Sequence, residues 1–170
     1  MLTGALLAAV FVPMLVEARR AAFNERGQRA RGGIEPAGDV YRIMTVVYPL
    51  AFLAMIAEGF LRGAPSLLPL AAGAIVFVAG KALKWWAIAA LGPAWTFRVL
   101  VVPGSRRVTS GPYAFLRHPN YIAVAAELIG VALMSGARIA GPVSTLVFAA
   151  LMAVRARVET AALDAILPPA

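Results

Sequence analysis

The sequence has no cysteine and a single histidine, His118. Without cysteine there is no disulfide, no Cys-ligated zinc, no iron–sulfur cluster and no thiol nucleophile. One histidine excludes a His-rich metal site and a two-histidine relay, so no metal is expected. Charge is also scarce: Asp, Glu, Lys and Arg make up 14% of the 170 residues, against about 25% in soluble domains. No G-x-G-x-x-G opens a helix after a strand, and there is no P-loop, which argues against a nucleotide fold of the soluble kind. With one histidine and no nucleophile elbow, no Ser–His–acid order is persuasive either.

What fills the chain is apolar. The apolar share is 61% and the mean hydropathy +0.81. A soluble domain sits nearer ~45–50% apolar, so an ordinary soluble domain and a disordered chain are both excluded. The length fits one domain, residues 1–170. A helix crossing the hydrocarbon core needs roughly 20 mostly apolar residues. Five runs come near this: Met1–Val16, Ile43–Leu61, Leu67–Leu91, Pro119–Ser135 and Ile139–Val154. Isolated strands cannot satisfy their backbone in lipid, and no alternating period suggests a barrel. The reading is an all-α integral-membrane bundle of about five transmembrane helices. Met1–Val16 lacks a basic n-region and a small-x-small site before Glu17, so it reads as a retained helix rather than a signal peptide.

Basic residues outnumber acidic ones by 16 to 8. High basicity can mean nucleic acid, but here the bases cluster at the ends of apolar runs, so no nucleic-acid partner is expected. Fourteen Lys and Arg fall on one side of the five-span arrangement, Lys81 and Lys84 among them, and two, Arg62 and Arg138, on the other. The positive-inside rule then puts the N-terminus outside and the C-terminus in the cytoplasm. The bases near the spans also suit anionic lipid headgroups. Both outside connections are too short for a site. The inside ones, about Glu17–Arg42, Gly92–His118 and the tail from Arg155, are long. Chemistry is expected at the cytoplasmic interface of a bacterial inner membrane.

The densest polar signal is Ser110-Gly111-Pro112-Tyr113-Ala114-Phe115-Leu116-Arg117-His118-Pro119-Asn120-Tyr121. Gly111-Pro112 predicts a turn. Pro119 suits a first helical position, making His118 the N-cap of the fourth helix. A helix start attracts a carboxylate, and Arg117 adds a bidentate donor. The plainer alternative is a capping histidine beside a snorkelling arginine. Glu127 lies in the middle third of the fourth span, where an acid is expensive and marks a functional site by default. It shares a helical face with Asn120, Tyr121 and Val124. Its structural alternative is a pair with an arginine or a hydroxyl that locks two helices. Arg155 and Glu159, at i, i+4, read either as a surface pair or as a receptor for an amino-acid zwitterion. Lys81, Lys84 and Trp85 share a face and read as interfacial anchors. Gly73 and Gly80 predict close helix packing.

Gly111-Pro112-Tyr113 followed by Arg117-His118-Pro119-Asn120-Tyr121 resembles the signature of the isoprenylcysteine carboxyl methyltransferase superfamily. Leu91-Gly92-Pro93-Ala94-Trp95 and Val101-Val102-Pro103-Gly104 look like its approach, and Arg155 with Glu159 matches its terminal Arg…Glu element. The likeness covers Leu91–Leu163. It departs at Thr160, where the family carries a second Glu, and in the tail Leu163–Ala170. Asn24-Glu25-Arg26, Ala30-Arg31-Gly32-Gly33 and Glu127 are similar to the bacterial subgroup found with type III polyketide synthases, which methylates alkylpyrones or alkylresorcinols. The resemblance implies S-adenosylmethionine (SAM) bound without a Rossmann domain. The methionine carboxylate would meet Arg117 and the helix start at His118, with Arg155 close by. The amino group would meet Glu159, and the adenine would lie among Trp95, Tyr113 and Tyr121. A lipophilic acceptor would enter sideways from the bilayer. A carboxylate acceptor needs no base. A phenol or enol acceptor needs its proton removed, by His118 or Glu127. The alternatives are a lipid amine N-methyltransferase, an NADPH-dependent sterol-reductase-like enzyme, and a non-enzymatic membrane scaffold.

Overall fold

A computed structural model describes residues 1–167, so Pro168–Ala170 of the tail lie outside the described residues. Five helices follow in order: α1 (Leu2–Ala30), α2 (Tyr41–Arg62), α3 (Leu67–Leu91), α4 (Pro119–Ser135) and α5 (Ala140–Ile166). Two short 3₁₀ turns, Gly92–Ala94 and Gly111–Ala114, lie between α3 and α4. The described residues contain no strand, only an isolated bridge between Ile34 and Val101. α1, α2 and α3 are each long and apolar enough to cross a membrane; α4 is apolar but shorter, at 17 residues. The molecule is an integral-membrane helical bundle.

The expected bounds hold for α3 and α4. Proline at the first position starts α4, and Gly136 in the left-handed region (φ 71°) ends it. Two helices differ from the sequence reading. Glu17–Ala30 continues α1 instead of forming a loop, and α5 runs twelve residues beyond Val154 to Ile166. Apolar length marks only the part of a helix that lies in lipid. Both extensions are rich in Ala, Arg and Glu, strong helix formers, and neither contains proline. The buried stripe of α1 continues through its polar half: Leu6, Val10, Glu17, Ala21, Asn24 and Gln28 share one face. α1 stops where Gly32 takes a positive φ of 78°.

α3 and α4 form the tightest pair. A Cβ on Gly130 would lie 2.7 Å from the Phe77 nitrogen, and one on Gly73 2.7 Å from the Gly130 oxygen. A Cβ on Gly80 would lie 2.9 Å from the Ala126 Cβ. Small residues let the two backbones touch. At the far end, Glu58 of α2 caps α5. Its carboxylate accepts the N–H groups of Arg138, Ile139 and Ala140 at 2.6–3.2 Å, an acid at the positive end of the helix dipole. The main core lies between, with Phe52, Met55, Leu128 and Val131 fully buried.

Gly130→Val should therefore lower the melting temperature of the detergent-solubilised protein, at a cost of about 1–3 kcal/mol from overpacking. Gly27→Ala, with nothing within 4 Å of its new Cβ, should be neutral or stabilising by about 0.5–1 kcal/mol. Equal melting temperatures for the two variants would contradict the packing described.

Candidate active site

The extended halves of α1 and α5 shape the loop-rich end of the bundle. Asn24 donates from Nδ2 to the carbonyls of Gly92 (3.1 Å) and Trp95 (2.8 Å). Gln28 donates from Nε2 to those of Pro93 (3.2 Å) and Ala94 (2.9 Å). One face of α1 thus clamps the turn that carries Trp95. Asp39 accepts the Val99 N–H at 3.1 Å and lies 3.3 Å from Arg155, whose guanidinium also donates to the Phe97 carbonyl. Val99 and Val101 pack on Ala162 near the end of α5. Arg98 reaches Glu35 at 2.7 Å and Glu25 at 3.1 Å. The segment from Gly92 to Val101 is held from three sides.

These elements enclose a cavity of about 770 Å³, within the usual range for a small-molecule site. Trp95, Tyr113, Arg117, His118, Tyr121, Arg155 and Glu159 all line it; Glu127 does not. His118 stands at the N-cap position of α4, but its side chain makes no capping bond. Its ring stacks on Tyr121 at 5.2 Å between centroids. Its Nδ1 faces Glu159 Oε2 at 3.6 Å, and its Nε2 lies 3.2 Å from the Thr160 hydroxyl. Tyr121 donates its hydroxyl to Glu159 at 2.5 Å. Burial pushes the Glu159 carboxyl up, but hydrogen bonds from His118 and Tyr121, with the charges of His118 and Arg155, outweigh it. They hold it below its ordinary value of 4.5. Burial, reinforced by the Glu159 charge, raises the Tyr113 phenol and keeps it neutral. Trp95 is buried edge-on to Phe97.

Arg155 and Glu159 do not pair with each other as a surface couple. Arg155 is buried and committed to Asp39 and Phe97. Arg117 is exposed at the cavity, without a carboxylate partner among the described residues. Asn120 also lines the cavity, and its buried Oδ1 lacks a hydrogen-bond partner.

Glu127 lies deeper. It is 1% exposed and shares a buried cluster with Glu17, Lys81 and Lys84. Lys84 Nζ lies 2.8 Å from Glu17 and 3.3 Å from Glu127; Lys81 Nζ lies 3.2 Å from Glu17 and 3.0 Å from Glu127. Tyr48 of α2 donates its hydroxyl to Glu127 at 2.6 Å. The expectation that Lys81 and Lys84 are interfacial anchors is therefore corrected: Lys84 is 3% exposed, because two carboxylates from α1 and α4 draw both ammonium groups inward. Sequence reading missed the roles of Glu17, Tyr48, Gln28 and Asp39, and named Asn24 only for the resemblance it carries. Glu17, Asn24 and Gln28 carried a signal, their shared face once α1 is allowed to run on. Tyr48 carried none.

A model of the isoprenylcysteine carboxyl methyltransferase family matches residues 73–165, just over half of the chain. The chain is 33% identical over 160 residues to the uncharacterized protein YpbQ of Bacillus subtilis, covering 94% of this chain and 95% of that one. It is 23% identical over 146 residues to an uncharacterized protein of Haemophilus influenzae, covering 85% of each. No solved structure matches.

A carboxyl lowered on folding contributes stability that is present above its unfolded pKa and lost as the pH falls through the folded value. The wild type should thus exceed Glu159→Gln in thermal stability at neutral pH. The difference should shrink as the pH drops below about 4.5. Melting curves recorded down to pH 3 that show a constant difference would contradict the arrangement around Glu159.

Proposed function

The chain belongs to the isoprenylcysteine carboxyl methyltransferase family, whose members are membrane methyltransferases, and on that premise we propose that it carries the methyl group of SAM to a lipophilic acceptor. The acceptor is an alkylpyrone- or alkylresorcinol-like hydroxyl or a prenylated carboxylate. The reaction takes place at the cytoplasmic face of a bacterial inner membrane, with the N-terminus outside. The observation that carries the reading is the cavity of about 770 Å³. Arg117, His118, Asn120, Tyr121 and Glu159 line one part of it, and apolar side chains of α1 and α2 another.

The residues present fit an amino-acid sulfonium. The unpartnered Asn120 Oδ1 and the Glu159 carboxylate form a receptor for an ammonium group. Arg117 and the start of α4 form a receptor for a carboxylate. Trp95 and Tyr113 supply flat surfaces for a purine. When bound, SAM supplies an electrophilic methyl group on a sulfur that leaves without further activation.

The chain's own part is to position the partners and exclude water. The clamped segment from Gly92 to Val101 fixes one wall. Met14 and Leu15 of α1 and Met44 of α2 line the cavity, and Leu15 is exposed where lipid would lie, which gives an acyl or prenyl tail a lateral way in. A hydroxyl acceptor that reaches the level of His118 gives its proton there, with Glu159 beside Nδ1 to stabilise the resulting imidazolium; one that is already ionised in the cavity needs no base. Glu127 meets the cavity through the Tyr48 hydroxyl and the Lys84 ammonium, so its role is to orient those two groups. For a carboxylate acceptor no base is needed.

Membranes containing the wild type, incubated with methyl-labelled SAM, should yield a labelled lipid by mass spectrometry. Arg117→Ala and Glu159→Ala should each weaken SAM binding by about 10- to 100-fold, the effect of losing a charge-assisted hydrogen bond. Unchanged SAM affinity in both variants, or binding of NADPH in place of SAM, would overturn the proposal.

A further inference from the structure

Of the charged side chains that line the cavity, one, Glu159, is acidic, while Lys84 and six arginines are basic. Arg31, Arg106 and Arg117 have no carboxylate within ion-pair distance among the described residues. The Glu17, Lys81, Lys84 and Glu127 cluster is neutral as a whole, but its two carboxylates and Lys81 lie behind the wall. Of the groups there, Lys84 and Tyr48 line the cavity, with the ammonium beside the hydroxyl. These two stand 3.5 Å apart, with Lys84 also 5.4 Å above the Tyr48 ring. Phe148 packs against Tyr48 with ring centroids 4.9 Å apart, so this corner joins a cation and a hydroxyl to apolar walls.

The corner also has a defined depth. Tyr121 belongs to the level of Glu159, and Glu127, which faces Lys84, lies six residues further along α4, about 9 Å at 1.5 Å per residue. A donor whose amino-acid end sits at Glu159 would leave its methyl group between the two levels. The head of the acceptor then belongs at Lys84 and Tyr48. A low-dielectric pocket with this surplus of cations attracts anions and repels an alkylammonium.

We propose that Lys84 and Tyr48 form the acceptor-recognition corner of the cavity, and that it selects an amphiphile with an anionic oxygen head over one with an amine. The placement of the donor in this argument rests on the methyltransferase reading; the charge selection does not. It also separates the oxygen acceptors from a lipid amine.

The test uses the full chain in nanodiscs of zwitterionic lipid, without methyl donor. Palmitate and hexadecylamine, equal in tail length, are the probes, read by equilibrium dialysis at neutral pH. The wild type should hold palmitate more tightly than hexadecylamine by about tenfold or more, the effect of one charged hydrogen bond. Lys84→Met alone would leave two buried carboxylates, Glu17 and Glu127, to share the Lys81 ammonium and so threaten the fold. The double variant Lys84→Met with Glu17→Met removes one charge of each sign and leaves Glu127 paired with Lys81 and bonded by the Tyr48 hydroxyl. In it the preference for palmitate should fall by about tenfold, to what the arginines of the cavity give without Lys84. Equal binding of the two probes by the wild type, or a preference undiminished in the double variant, overturns the proposal. S-adenosylhomocysteine binding is measured alongside and should be kept in the double variant. Its absence from the wild type would count against the methyltransferase reading while leaving the charge test intact.

Discussion

Two carboxylates and two ammonium groups share a space from which water is nearly excluded. Glu17 and Glu127 are each 1% exposed and Lys84 is 3% exposed. Burying any one of them alone would be prohibitive, and an acid or a base inside a membrane bundle is costly even when paired. The four come from α1, α3 and α4, and Tyr48 adds α2. Each charge therefore requires the others, and the helices that carry them must meet at one level. That level sets the base of the cavity and the height at which the polar residues of α4 stand above it.

The rest of the site follows from two helices, α1 and α5, that outrun their apolar stretches. The polar half of α1 holds the turn from Gly92 to Trp95 by side-chain amides, and the far half of α5 brings Arg155, Glu159 and Thr160 against the loops and the start of α4. The apolar parts of the same helices border the cavity on the lipid side. A single enclosed space thereby joins a polar mouth suited to a zwitterion with walls suited to a hydrocarbon tail. Two unlike partners can meet there without a Rossmann domain.

Much of this was legible in the chain, and the reasons differ from residue to residue. The bounds of α3 and α4 are written in local chemistry: an apolar run ending at Gly92, a proline at position 119 and a glycine at 136. The residues from Tyr113 to Tyr121 announce themselves as a polar block between apolar helices, and the cavity gathers them. The ends of α1 and α5 did not show, because hydropathy reports contact with lipid rather than helix. The charge cluster did not show, because Glu17 and Lys81 lie 64 residues apart and nothing local marks them as partners. Counted as interfacial, the two lysines gave a reading of topology; inside the bundle they bear on packing and on what the cavity can bind. Glu127 was visible as an acid at an expensive depth; its bond to the Tyr48 hydroxyl and its pairing with the two lysines were not.

The central claim is that one cavity takes a sulfonium amino acid at its polar end. The most direct measurement is an experimental structure of the protein with S-adenosylhomocysteine. The account predicts the amino-acid end of that ligand between Arg117 and Glu159, within hydrogen-bond distance of Asn120, and its purine against Trp95 or Tyr113. A ligand bound elsewhere on the protein, or a complex in which side chains of α4 and α5 close this space, would contradict it.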